Sequence, residues 1–222
     1  MVDILIATGN SHKFREIKSI MGDFAELNIV CLDKSFQIEI VEDGETYEEN
    51  AKIKTEGYIK FLDENPGLKS ELNLSYIVSE DSGLEVDCLN GTPGIFTARY
   101  AGENASDTDN INALLNAIKS KKNCMQNRHA KFVCLTCMYD VKKHSFHYFR
   151  GELNGLIDKE VSGAKGFGYD PIFFVPEFNK TVAQIDASEK NKISHRSIAF
   201  RRLAETIKES GPAYESKTYK RI

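Results

Sequence analysis

The stretch DILIATGNSHKFREI, residues 3–17, sets an apolar run, Ile4-Leu5-Ile6, directly before a small turn with a single glycine. After the turn, Phe14, Ile17 and Met21 recur at the spacing of one helix face. A short buried strand, about residues 3–7, that passes through a tight turn into a helix is the building unit of an α/β sheet. An early lysine in such a turn, Lys13, invites an anion. The turn is not a P-loop, however. That motif needs Gly, four residues and then Gly-Lys-Ser/Thr, whereas here Gly9 stands alone and Lys13 is followed by Phe14.

Working outward, NIVCL (28–32) and FQIEIV (36–41) read as strands, the second ending at the acidic turn Glu42-Asp43-Gly44. Thr46 and Glu49 have capping-box spacing and start a helix with Ala51, Tyr58 and Leu62 on one side. Residues 63–74 read as a polar, proline-bearing loop. SYIVSE (75–80) is the next strand and runs into Asp81-Ser82-Gly83. Beyond a Gly/Pro-rich loop, Ile111, Leu114, Leu115 and Ile118 mark the clearest helix. Residues 121–129 read as a basic loop, and 130–158 as a three-stranded meander with breaks at 141–144 and near Gly151–Gly155. GAKGFGYDP (163–171) is a glycine-rich loop before the apolar run IFFV. The last helix begins near Ser194, with Ala199, Leu203 and Ile207 inward. Strands and helices alternate while the middle meanders, so the expected class is α/β with a mixed sheet. Residues 1–222 are read as one domain with a polar tail over about 211–222.

A chain of 222 residues with 41% hydrophobic and 28% charged residues is an ordinary globule with room for a sizeable core. A net charge of −4 argues against wrapping a nucleic-acid polymer. No stretch approaches the ~20 apolar residues of a membrane span, and the short N-terminal apolar run has no basic flank. A cytoplasmic protein is therefore expected. The five cysteines are odd in number and scattered, which suits a reducing compartment. Cys134 and Cys137 have CxxC spacing, but on a strand positions three apart face opposite ways, so both are expected as packed core thiols. His144 and His147 fail as a metal pair for the same reason.

The groups that carry chemistry gather elsewhere. Glu39, Glu42 and Asp43 stand at one expected strand end, Glu80 and Asp81 at another. Carboxylates gathered in this way suit Mg²⁺, which takes one or two acidic ligands together with substrate phosphates. Phe167-Gly168-Tyr169-Asp170 offers close backbone approach beside an aromatic face. Lys190, and His195 with Arg196 at a helix start, supply donors, and the helix start adds backbone N–H groups.

Taken in order, TGNSHK, SEDSGLEVD, GTPGIFTARYAG, GFGYDPIFFVP and EKNKISHR resemble the inosine triphosphate pyrophosphatase family over about residues 3–208. The resemblance implies a long mixed sheet with flanking helices, forming two lobes around a central cleft, and usually a homodimer. It implies hydrolysis of ITP, dITP and XTP to the monophosphate and pyrophosphate with Mg²⁺. By position, Thr8, Gly9, Asn10, Ser11, His12 and Lys13 would bind substrate through the triphosphate. Asp81 would be the catalytic carboxylate and Ser82 a substrate contact. Phe167, Gly168, Tyr169, Asp170, Lys190, His195 and Arg196 would hold the nucleotide. Mg²⁺ would lie between Asp81 and Glu42, with Glu39 and Glu80 as alternatives to Glu42.

On this reading Lys13 and Lys190 place positive charge on the phosphates. Donors from Arg196, or from backbone N–H groups near His195, would satisfy a 6-oxo purine and oppose the amino group of adenine. Two alternatives are kept: a Maf-like pyrophosphatase for pyrimidine or modified nucleotides, and a nucleotide-binding module without turnover.

Overall fold

The computed structural model describes residues 1–32, 36 and 38–210; the expected C-terminal tail lies outside them. Strand β1 (Val2–Ile6) leads through residues 7–10 into helix α1 (Ser11–Met21), where Ile17 and Met21 are buried. Strand β2 (Leu27–Val30) pairs parallel to β1 and forms the sheet edge. Helix α2 (Tyr47–Glu64) starts at the expected capping box, with Ala51, Tyr58 and Leu62 buried.

Of the strand expected at 36–41, residue 37 lies outside the described residues, and residues 36 and 38–41 carry no strand. Ile38 and Ile40 pack instead against the cluster of Tyr58 and Leu62, so their alternation serves a helix surface and not a sheet. The loop expected over 63–74 contains a short helix, α3 (Pro66–Leu72). Pro66 fits its first turn, where no N–H is needed, and Leu68 and Leu72 pack inward.

Strand β3 (Tyr76–Val86) does not end at Glu80 as expected; it continues through Asp81, Ser82 and Gly83. The reason is its partner, β5 (His129–Asp140), which pairs antiparallel with it along the whole length. The short strand β4 (Pro93–Gly94) pairs β3 from the other side. Helix α4 (Asp107–Ser120) buries Ile111, Leu114, Leu115 and Ile118 as expected. The basic loop after it contains a 3-10 turn over Lys122–Met125. There Cys124 forms a disulfide with Cys88, which departs from the expectation that the cysteines are all thiols.

The meander is two strands and not three: β5 and β6 (Ser145–Ile157) make one long hairpin with no break at Gly151–Gly155. Those glycines mark close approaches. A Cβ at Gly151 would run into the carbonyl of His195 and the amide of Ala199, and one at Gly155 into Phe173. Strands β7 (Phe173–Val175) and β8 (Lys180–Thr181) extend the sheet, followed by α5 (Ala187–Ile193) and α6 (His195–Glu209).

The eight-stranded sheet has the order β2-β1-β3-β5-β6-β7-β8, parallel around β1 and antiparallel beyond β3, with β4 off the path. The core separates along the long hairpin. One cluster joins α4, Phe132, Phe173 and Val175. At the β1 end, α1 and α6 cover one face, while α2 and α3 cover the other. Cys134 packs in the α6-side cluster, whereas the backbone of Cys137 meets Thr55 of α2, so the two point to opposite faces as expected. No described helix is long and apolar enough to cross a membrane.

Candidate active site

Strand periodicity sends neighbouring carboxylates to opposite faces of β3. Asp81 faces α2: its Oδ2 accepts from Asn50 Nδ2 at 3.4 Å, and Lys54 Nζ lies 3.8 Å from Oδ1. Lys54 Nζ is also 2.8 Å from Glu42, so one ammonium bridges Glu42 and Asp81. Burial pushes the Asp81 carboxyl up, against the pull of Lys54 and Lys13. Burial disfavours the charge on Lys54, yet Asp81 and Glu42 outweigh it and raise its pKa. Glu39 is exposed, and Glu80 turns to the other face. Among the described residues, no group of three or more His, Cys, Asp or Glu side chains gathers as a metal centre by itself.

A cavity of about 310 Å³ brings together Thr8, Gly9, Asn10, Lys13, Asp81 and Ser82. Glu42, Lys54 and Arg99 complete its polar wall. Thr8 Oγ1 accepts from Asn10 N, and Asn10 Oδ1 accepts from the amides of His12 and Lys13. Asn10 is therefore the N-cap of α1, and it shapes the turn through bonds to its own helix. Ser11 and His12 are exposed at the start of α1. The His12 ring lies 5.6 Å from that of Phe167, which brings the first turn close to the glycine-rich loop.

On the far face of β3 runs a buried chain of alternating charge. Lys13 Nζ is 3.0 Å from Glu80, and Glu80 receives Arg196 Nη2 at 3.3 Å. Arg196 Nη1 reaches Glu16 at 2.6 Å, Glu16 holds Lys190 at 2.7 Å, and Lys190 holds Asp170 at 2.7 Å. Burial alone would raise the Glu80 pKa, but Lys13, Arg196 and Lys54 hold it well below the usual carboxylate range. Asp170 also accepts from the amide of Phe167, so its carboxylate braces the turn that presents that ring.

This network gives the predicted nucleotide residues their places. Lys190 is 5.1 Å and the Arg196 guanidinium 5.8 Å from the centre of the Phe167 ring. A small second pocket is lined by Ser82, Phe132, Phe167, Lys190, His195 and Arg196, and Gly168, Tyr169 and Asp170 border it. Lys190 thus lines this pocket and not the Lys13 cavity; Ser82 belongs to both. Arg196 donates to Glu16, to Glu80 through Nε and Nη2, and to Ser82 Oγ. Those bonds use most of the five N–H groups of a guanidinium. His195 stacks on Phe132 at 5.0 Å, and burial, with Arg196 and Lys190, keeps its imidazole neutral. Its Nδ1 is buried without a hydrogen-bond partner among the described residues.

Sequence reading missed Lys54, Asn50 and Glu16. Asn50 and Lys54 stand one turn apart on α2, and the available signal was their spacing with Tyr58 along the helix face beside Ala51. Glu16 follows Lys13 by one turn on α1, a spacing that puts both on one helix face. A cavity of about 830 Å³ lies at the start of α2 between Phe96 and Arg150 and includes none of the predicted residues.

The chain is similar to known proteins over nearly its whole length. The family model described as the Ham1 family matches residues 4–206. A dITP/XTP pyrophosphatase of Clostridium perfringens is 42% identical over 209 residues, covering 94% of this chain and 98% of the relative. One of Staphylococcus epidermidis is 42% identical over 207 residues, covering 93% and 97%. Among solved structures, the Staphylococcus aureus Ham1 protein superposes with a TM-score of 0.78 at 37% identity, covering 94% of this chain and all of that one. A HAM1 protein from Coxiella burnetii gives 0.80 at 33% identity, covering 95% and 100%. By its sequence over nearly its whole length and by its fold, this chain belongs to the Ham1 family.

Proposed function

We propose that the protein hydrolyses non-standard purine nucleoside triphosphates (ITP, dITP and XTP) to the monophosphate and pyrophosphate, cleansing the nucleotide pool. The observation that carries this reading is that His195, whose buried Nδ1 has no partner among the described residues, lines a slot beside Phe167 that meets the Lys13–Asp81 cavity at Ser82. A neutral imidazole can present an N–H there. An N–H satisfies a 6-oxo purine and meets another donor in adenine, at a cost of roughly 1–3 kcal/mol. The names of the curated relatives support the same substrate class.

The donor set fits Mg²⁺. Glu42 and Asp81 are hard carboxylates that already share one cation, the Lys54 ammonium, and Mg²⁺ needs one or two such ligands beside phosphate oxygens. When bound, Mg²⁺ supplies charge neutralisation and lowers the pKa of a coordinated water. Asp81 would orient the attacking water and accept its proton, and burial raises its affinity for a proton. Lys13 and Lys54 place fixed positive charge along the triphosphate, where it acts without reorganising.

A homodimer and a cytoplasmic location belong to the same proposal; light scattering tests the first. The test of activity is pyrophosphate release from ITP, dITP, XTP, GTP, ATP and pyrimidine triphosphates, with Mg²⁺ and with chelator. The reading expects ITP, dITP and XTP to lead and chelator to stop release. Preference for pyrimidines would favour the Maf-like alternative, and binding without release the non-hydrolysing module.

A further inference from the structure

The Phe167 turn is built from glycines with positive φ, Gly166 at 78° and Gly168 at 61°, so its own backbone has little preference for one geometry. Asp170 braces it from within through the Phe167 amide, and further bonds hold it from outside. Two bonds reach it from the segment that follows β4. Tyr169 Oη donates to the carbonyl of Thr97 at 3.1 Å, and Gly168 N donates to Asp107 Oδ2 at 2.7 Å. The second comes from a side chain that its own helix does not need. Ser106 and Asp109 form the capping box of α4, so the carboxylate of Asp107 is left to reach across 61 residues. At the first position of α4 that negative charge is favoured by the helix dipole, which makes it a steady acceptor.

We propose that Asp107 is a positioning residue for nucleobase binding: by holding the Gly168 amide it keeps the Phe167 ring over the slot that contains His195. This rests on the reading of that slot given above. Asp107 itself lines neither cavity and meets the slot only through Gly168, so its effect passes through the Phe167 turn to the base and not to the phosphate cavity.

The test compares wild type, Asp107→Ala and Asp107→Asn by calorimetric binding of IMP and of inorganic tripolyphosphate, together with ITP kinetics. A hydrogen bond to a charged acceptor at an exposed site predicts IMP binding weakened roughly 5- to 20-fold in Asp107→Ala. KM for ITP should rise similarly while kcat stays within about 3-fold. Tripolyphosphate, which has no base, should bind all three proteins alike. Asparagine keeps an acceptor oxygen and should restore most of the IMP affinity. Unchanged IMP affinity in Asp107→Ala, or equal weakening of tripolyphosphate, would overturn the proposal. A wild type that binds IMP without hydrolysing ITP would count against the activity and not against this role, because the binding arms still read Asp107.

Discussion

Asp81 and Glu80 are neighbours with opposite surroundings: Asp81 meets Asn50 and Lys54, and Glu80 meets Lys13 and Arg196. Asp81→Asn keeps the shape and the Asn50 contact but removes the base. It is expected to cut ITP turnover at least ~100-fold with a smaller change in KM, measured by steady-state kinetics. Glu80 instead governs acid stability. Its folded pKa is depressed from the ordinary 4.5, so its contribution is fully present above that pH and is lost as pH falls toward the folded value. Urea titrations should therefore show the stability gap between wild type and Glu80→Gln closing below about pH 4.5. A gap independent of pH would show that Glu80 is held by packing alone. Arg196 stands out in the sequence by its helix start, but not as the centre of this network, because Glu16 and Glu80 lie far from it in sequence. Removing it leaves Glu80 with Lys13 and Glu16 with Lys190 as remaining cations, so Arg196→Ala should cost stability, at most about 3–5 kcal/mol, the loss for a buried pair broken on one side. Denaturant unfolding reads that loss before any change of base preference can be interpreted.

Elements with a clear period were readable from residues alone: α1, α2, α4 and α6 place their expected inner residues in the core, except that Phe14 of α1 is only partly buried against it. Glycines and acids inside strands misled, since both are ordinary signs of a strand's end. Asp81 stays in β3 because β5 pairs past it, and Gly151 stays in β6 because α6 needs the space. That close approach fixes the start of α6, where His195 and Arg196 stand. Gly151→Ala must push α6 away from the sheet. It is expected to lower the melting temperature and to raise KM for ITP together, whereas the surface change Lys208→Ala on the same helix should do neither. Normal KM in a destabilised Gly151→Ala protein would separate the slot from helix placement.

Across the whole molecule, the Cys88–Cys124 bridge ties the end of β3 to the turn after α4, at a sequence separation of 36. The segment between carries Thr97, which accepts from Tyr169, and Asp107, which accepts from Gly168. Five scattered cysteines gave no spacing from which to read this pair, since pairing follows from which chain ends the fold brings together. Both cysteines are buried in the cluster that contains Tyr169, Leu114 and Val182. Closing a loop of this size typically adds about 2–4 kcal/mol by restricting the unfolded chain. Reduction should therefore lower the melting temperature and expose two more thiols to titration under denaturing conditions. Cys124→Ser should melt near the reduced wild type and ignore reductant. Because the core around the bridge remains packed without it, ITP kinetics should change less than stability does. A melting temperature indifferent to reductant, with the thiol count risen, would mean that α4 and the Tyr169 cluster already hold this segment in the unfolding transition.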